Sequence, residues 1–198
     1  AEVVVRHGNR TSAVLSEGDI RLRGRHNLAN VVMACAIAAE AGFSIEAMRR
    51  GVRGFRGVPH RLEVVGRAAG ATWVNDSIAT SPERAIAGLR AFTGGREKNL
   101  PLDQLQDLAR ERCRAVVCFG EAGPLFHDAM KSAVPGARIV STLEEAVTAA
   151  LSLVQPGDVV LLSPAGTSFD AYPNFEARGE AFRRLVAGLP GFTQEVSP

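Results

Sequence analysis

The chain has only three cysteines, Cys35, Cys113 and Cys118, an odd number without metal-ligand spacing. They read as small buried hydrophobes in a reducing compartment. No apolar run approaches the roughly 20 residues that span a bilayer, so no membrane segment is expected. No basic-then-apolar leader opens the chain, and secretion is not expected. Neither sign of charge dominates: 23 Lys and Arg face 21 Asp and Glu, for a net charge of +2. The basic residues are scattered apart from Arg110, Arg112 and Arg114, which argues against a nucleic-acid partner. G-x-G-x-x-G is absent, and so is any G-K-[ST] phosphate loop. The chain alone therefore cannot position the phosphates of a nucleoside triphosphate.

What remains is ordinary soluble-protein composition over 198 residues, 46% apolar and 22% charged, enough for a proper core. "AEVVVRHGNR" opens directly in a strand-like run, as a piece of a longer protein would. Residues 2–5, 12–15 and 19–23 are β-like and suggest a small antiparallel meander. A helix of about four turns follows from Arg25, with Leu28, Val31, Val32, Cys35, Ile37 and Ala38 as its apolar face and Gly42 as its stop. Ser44 can cap a second helix. After "GVPHR" the pattern changes, which puts a domain boundary between residues 1–58 and 59–198.

Beyond that boundary, strand-like runs alternate with helical periods. Leu62–Arg67 and Thr72–Val74 are turned by Ala69-Gly70, and Ser81 caps a helix that begins with Pro82. Apolar runs at 114–120, 138–140 and 156–164 are separated by helices near 102–112, 122–133, 142–154 and 175–187, the third opened by a Thr142/Glu145 capping box. Continuous apolar strands between helices imply an α/β, Rossmann-like, mostly parallel sheet covered on both faces.

In such a sheet, ligands bind beyond the carboxyl ends of the strands. Three polar clusters fall there: "NDSIATSPE" (75–83), "GGREKN" (94–99) and "SPAGTSFDAYPNF" (163–175). Each alone could be turn chemistry; three on one edge point to a site. Gly94 and Gly95 permit close backbone approach, Lys98 brings one cation, and Ser163, Thr167 and Ser168 bring hydroxyls. The set suits a small anionic substrate. No His or Cys lies in these clusters to activate a serine.

Five ordered runs, "GRHNLAN", "GVPHRLE", "NDSIATSPE", "GGREK" and "SPAGTSFDAYPNFEARG", resemble the Mur ligases over most of the chain. They are most similar to the branch that adds D-glutamate to UDP-N-acetylmuramoyl-L-alanine in the cytoplasm. The resemblance implies a C-terminal Rossmann-like glutamate-binding domain at 59–198, preceded at 1–58 by the end of the central ATP-binding domain. It also implies ATP-driven amide-bond formation through an acyl phosphate, with Mg²⁺ held by a part of the central domain outside this sequence. On the matching motifs, Asn27 and Asn30 would lie near adenine, Arg61 at the terminal phosphate and Asp76 at the ribose. Thr80 and Lys98 would hold the α-carboxylate of D-glutamate, and Ser168 and Phe175 its side-chain carboxylate, the last through its backbone. Arg61 and Lys98 would be the catalytic cations. Each has a structural alternative: Asn27 as a helix cap, Arg61 as a surface strand residue, Asp76 as an Asx turn and Lys98 as a solvated cation. Two rival functions also stand: a folylpolyglutamate synthetase or other Mur-type ligase, and a non-catalytic module that binds a small anion.

Two departures from the family pattern stand out. Ile78 occupies a position where many members carry Lys. "LRAFTGGREK" passes from helix to Gly-Gly loop without the usual apolar strand, and a sheet lacking a central strand would have unpaired backbone and an open core. Without a phosphate loop, the chain alone is expected to have no ligase activity.

Overall fold

The computed structural model describes residues 2–7, 10–22, 24–93, 102–166 and 171–194, and the chain divides into two units, Ala1–Val58 and Pro59–Pro198. In the first, β1 (Glu2–His7) and β2 (Arg10–Ser16) pair antiparallel. Their buried Val3, Val14 and Leu15 share a core with Val31 and Cys35 of α1 (Arg25–Glu40) and Met48 of α2 (Ile45–Gly54). α1 stops where Gly42 takes φ +81, and the amides of Gly42 and Phe43 turn back to the carbonyls of Ala39 and Ala38. Ser44 caps α2 by accepting from the Ala47 amide at 3.2 Å.

Two expectations fail here. Residues 20–22 form no strand, because Glu17–Asp19 closes a 3₁₀ turn. Asp19 accepts from both the amide and the hydroxyl of Ser16 and pairs with Arg53 at 3.0 Å. The apolar stripe of α1 is also wider than the core it meets: Ile37 is 64% exposed and Val32 45%.

In the second unit, β3 (Glu63–Ala68) and β4 (Ala71–Asn75) form a hairpin. Ala69 and Gly70 both adopt positive φ, 52° and 76°, as a two-residue turn between right-twisted strands requires. β4 pairs parallel with β7 (Val159–Leu162), bringing Asn75 opposite Leu162 at the carboxyl end of both. β5 (Val116–Cys118) and β6 (Ala137–Ile139) form a separate parallel pair. The helices are α3 (Pro82–Thr93), α4 (Leu102–Arg112), α5 (Gly123–Met130), α6 (Leu143–Leu153) and α7 (Phe175–Ala187). Trp73, Leu162, Val147, Phe182 and Val186 make one core with α6 and α7; Ile86, Leu108, Ala109, Met130 and Val134 make another with α3, α4 and α5. No described helix is long and apolar enough to cross a membrane.

The class is α/β, but the sheet is not continuous. Among the described residues β7 pairs only with β4 and β5 only with β6, and β3 runs antiparallel at its edge. Between β5 and β7 lies a hollow of about 1080 Å³.

Candidate ligand site at the carboxyl ends of β4 and β7

The polar run after Trp73 divides into inward and rim-facing parts. Asn75 and Ser77 are fully buried, so their side chains face the fold rather than solvent. The Asn75 carbonyl accepts from the Ser77 amide at 3.2 Å, which fixes the orientation of its amide group. Its nitrogen then faces three acceptors: Nδ1 of His60 at 3.0 Å, Glu63 at 3.3 Å and the Gly179 carbonyl at 3.3 Å. This assigns the ring proton of His60 to Nε2, which faces Glu180 at 3.6 Å. Turn chemistry and loop anchoring thus account for two members of the cluster.

The segment before β3 is bent sharply to reach this arrangement. His60 and Leu62 both take positive φ, 63° and 49°, an uncommon conformation for side chains of this bulk. The kink turns His60 inward, with Phe175 edge-on at 6.3 Å, while Arg61 between them stays exposed. Gly179 makes room for the imidazole, because a Cβ there would collide with His60. Gly179→Ala is therefore expected to destabilise by about 1–3 kcal/mol through overpacking, despite the better helix propensity of alanine. Urea unfolding measures this against Gly188→Ala, where a Cβ would meet nothing nearer than 3.5 Å. Equal losses at the two positions would contradict the packing account.

Asp76 is buried just inside the rim. It accepts from the Leu62 amide at 3.1 Å and faces the Ser163 hydroxyl at 3.5 Å. Burial raises its pKa to about 6, outweighing the Leu62 bond and the Arg61, Ser163 and Arg84 groups that pull it down. Thr80 is half-buried at the rim, and its hydroxyl lies 3.5 Å from Arg84, whose guanidinium also donates to the Ile78 carbonyl at 3.2 Å. The Ser163–Gly166 stretch is tied alongside: Asp76 donates its amide to Leu162, and Ala165 donates to Ala79, both at 2.9 Å.

Phe175 opens α7, whose cap Asn174 accepts from the Ala177 amide at 2.8 Å, and the Phe175 carbonyl accepts from the Ser77 hydroxyl at 2.8 Å. The positive end of a 13-residue helix dipole therefore meets the same rim. The structure brings Arg61, Asp76, Thr80 and Phe175 together around the 75–81 loop. Lys98 and Ser168 lie outside the described residues. Asn27 and Asn30, 3.3 Å apart on α1, belong to the first unit.

Two residues escaped the sequence reading. Arg84 brings a cation to Thr80 and to the Ile78 carbonyl. Arg178 is buried, donating to the Ser77 hydroxyl at 3.0 Å, the Ser77 carbonyl at 2.8 Å and the Gly166 carbonyl at 3.4 Å. A signal for it existed. Arg178 lies in helical register with buried Ala181, Phe182 and Val186, so an inward arginine was legible from the period of α7. Chemically, the rim offers hydroxyls, a carboxylate, exposed guanidinium groups and a helix amino end, suited to a small polar anion beside a hydroxyl-bearing group.

Residues 60–166 match the family model "Mur ligase, glutamate ligase domain". The chain is 37% identical over 193 residues to the UDP-N-acetylmuramoylalanine–D-glutamate ligase of Desulfitobacterium hafniense (strain Y51), covering 93% of this chain and 42% of that one. It is 40% identical to the ligase of the same name from Rubrobacter xylanophilus, covering 94% and 45% respectively. The chain thus spans less than half the length of these relatives. Among solved structures, a murein peptide ligase from Psychrobacter arcticus superposes with a TM-score of 0.54 at 16% identity, covering 92% of this chain and 40% of that one. A UDP-N-acetylmuramoylalanyl-D-glutamyl-2,6-diaminopimelate–D-alanyl-D-alanyl ligase from Acinetobacter baumannii gives 0.55 at 19% identity, covering 81% and 36%. At those identities the two structures speak for the fold.

Proposed function

The chain belongs to the Mur ligases, and from that premise we propose that it is the C-terminal part of an ATP-dependent ligase joining D-glutamate to UDP-N-acetylmuramoyl-L-alanine in the cytoplasm. Pro59–Pro198 is the glutamate-binding domain, and Ala1–Val58 the end of the central ATP-binding domain. The observation that carries this reading is the convergence of two strand-end loops and the first turn of α7 on one rim, held by the Asp76–Ser163, Ala79–Ala165 and Ser77–Phe175 contacts.

In this reading, Thr80 and Lys98 orient the α-carboxylate of D-glutamate, and Ser168 with the backbone of Phe175 takes its side-chain carboxylate. Arg61, exposed by the kink at 60–62, faces the terminal phosphate, where a delocalised cation stabilises transferring charge. Asp76 accepts from a ribose hydroxyl, and Asn27 and Asn30 take the adenine. Arg84 supplies positive charge near the position where Ile78 has none. Mg²⁺ is implied by the chemistry. Among the described residues no group of three or more His, Cys, Asp and Glu side chains could hold it, and none of the roles above uses it.

Thermal-shift titration of the chain with D-glutamate, L-glutamate and glutathione tests the assignment. A D-glutamate-selective rise in melting temperature is expected, with no D-glutamate-dependent ATP turnover by the 198 residues alone. An equal response to all three, or none to D-glutamate, would count against a glutamate site. Turnover by the isolated chain would overturn its dependence on the remaining domains.

A further inference from the structure

Arg84 is exposed and stands in the first turn of α3, where the helix dipole disfavours a cation. Helix stability therefore does not account for it. Among the described residues its guanidinium has two partners, the Ile78 carbonyl at 3.2 Å and the Thr80 hydroxyl at 3.5 Å, both through Nη1. Neither is a carboxylate. The neighbouring Glu83 is engaged elsewhere: the Ser81 hydroxyl holds its carboxyl below the usual range.

The face of α3 that carries Arg84 abuts the rim. Residues four apart share a helix face, and one turn beyond Arg84 lies Gly88, where a Cβ would collide with the Asp76 carboxylate. Ala85 and Ile86 are buried in the core shared with α4 and α5, so the helix under Arg84 is a fixed base. From that base the charge of Arg84 also reaches Asp76. Two features thus place the guanidinium over the 75–81 loop: its bonds to Ile78 and Thr80, and the packing of Gly88 on Asp76.

The bonding pattern says what the group can hold. Bonds through Nη1 leave Nε–H and Nη2–H, the pair that meets a carboxylate with two parallel hydrogen bonds. Among the described residues neither atom has a partner. Thr80 adds a further donor, because a hydroxyl that accepts from Arg84 keeps its own proton for another acceptor. A carboxylate satisfies all of these donors. A carboxamide would set its own N–H against one of them and carries no charge to meet the guanidinium.

We propose that Arg84 binds the α-carboxylate of the incoming amino acid together with Thr80, and that it selects a carboxylate over a carboxamide at that position. The proposal rests on the glutamate reading above and adds to it a residue that determines specificity. Ile78 leaves the loop without a cation of its own, and α3 supplies one from beside it.

Ligand-observed NMR titration of the chain with D-glutamate, its α-amide and its γ-amide tests this, in wild type, Arg84→Gln and Arg84→Lys. Wild type is expected to bind D-glutamate about tenfold more tightly than the α-amide. Arg84→Gln should lose that preference while keeping its affinity for the α-amide and its Tm. Arg84→Lys, which keeps the charge without the planar fork, should fall between them. An Arg84→Gln variant that weakened D-glutamate and the α-amide equally would make Arg84 a brace for the loop and overturn the proposal, as would one with no effect. Loss of discrimination against the γ-amide alone would put the guanidinium at the side-chain carboxylate and overturn the assignment. Failure of wild type to bind D-glutamate would remove the glutamate site itself and this role with it, an outcome told apart from the others because it needs no variant.

Discussion

Replacing Arg178 with alanine is expected to lower unfolding free energy by roughly 3 kcal/mol and to abolish the D-glutamate response. The guanidinium makes three bonds, at 3.0 and 2.8 Å to Ser77 and 3.4 Å to Gly166. Bonds to a charged group contribute about 1.5–3 kcal/mol each when short, and the cost of burying the cation offsets part of that sum. Truncation would leave the Ser77 carbonyl without its short charge-assisted donor and the Gly166 carbonyl without its guanidinium. Through Ser77 the loss reaches Phe175, and through Gly166 it reaches the loop after β7, so both sides of the rim would loosen together. Arg178→Lys is the informative partner, because one ammonium cannot present the planar fork that meets Ser77 twice and Gly166 once. It is expected to recover less than half of the stability. Urea midpoints for wild type, Arg178→Lys and Arg178→Ala supply the test. A loss below about 0.5 kcal/mol for alanine would show that the rim does not depend on this side chain.

Arg178, whose inward face the helical period could have given but whose partners it could not, bears on how far sequence reading reaches. Signals confined to a few neighbouring residues translated well. The Ala69-Gly70 turn, the Ser44 cap and the start of α7 at Phe175 depend on local backbone geometry. The Thr142 cap is present too, although the return bond from Glu145 lands on the Ser141 amide rather than on Thr142. Features that depend on distant partners were not legible. Residues 20–22 form no strand because Asp19 finds Ser16 and Arg53, and a short apolar run cannot announce that competition. The division of the sheet among the described residues is a different case, because the passage "LRAFTGGREK" from helix to Gly-Gly loop without an apolar strand already pointed to it. In the polar cluster, composition could not separate Asn75 and Ser77, which brace the loop from inside, from Asp76 and Thr80 at its rim. That division depends on His60, Gly179 and Arg178, residues 15 to 104 positions away.

The pH dependence of stability isolates the most strained of these groups. Asp76 is 4% exposed, with one good hydrogen bond from Leu62 and a long one from Ser163, and among the described residues Arg61 and Arg84 act on it only through their charge. Burial raises its pKa from 3.8 to about 6, so folding favours the protonated carboxyl. The stabilisation from that proton is fully present below about pH 4 and is lost as pH rises through 6. Two pH units correspond to about 3 kcal/mol. Asp76→Asn keeps the shape and an acceptor for the Leu62 amide but cannot ionise. Wild type and Asp76→Asn are thus expected to differ little at pH 4, and the variant should gain by up to about 3 kcal/mol between pH 5 and 8. Urea unfolding across that range decides it: parallel stability curves would mean Asp76 is better solvated, or better paired, than its burial implies. The direction bears on function as well. A hydroxyl donated to Asp76 stabilises the ionised form, so a ligand that supplies one relieves a penalty the empty fold carries at neutral pH. Asp76→Asn should therefore stabilise the free protein while weakening any ligand that donates there, and a variant that gained both stability and affinity would place the ligand elsewhere on the rim.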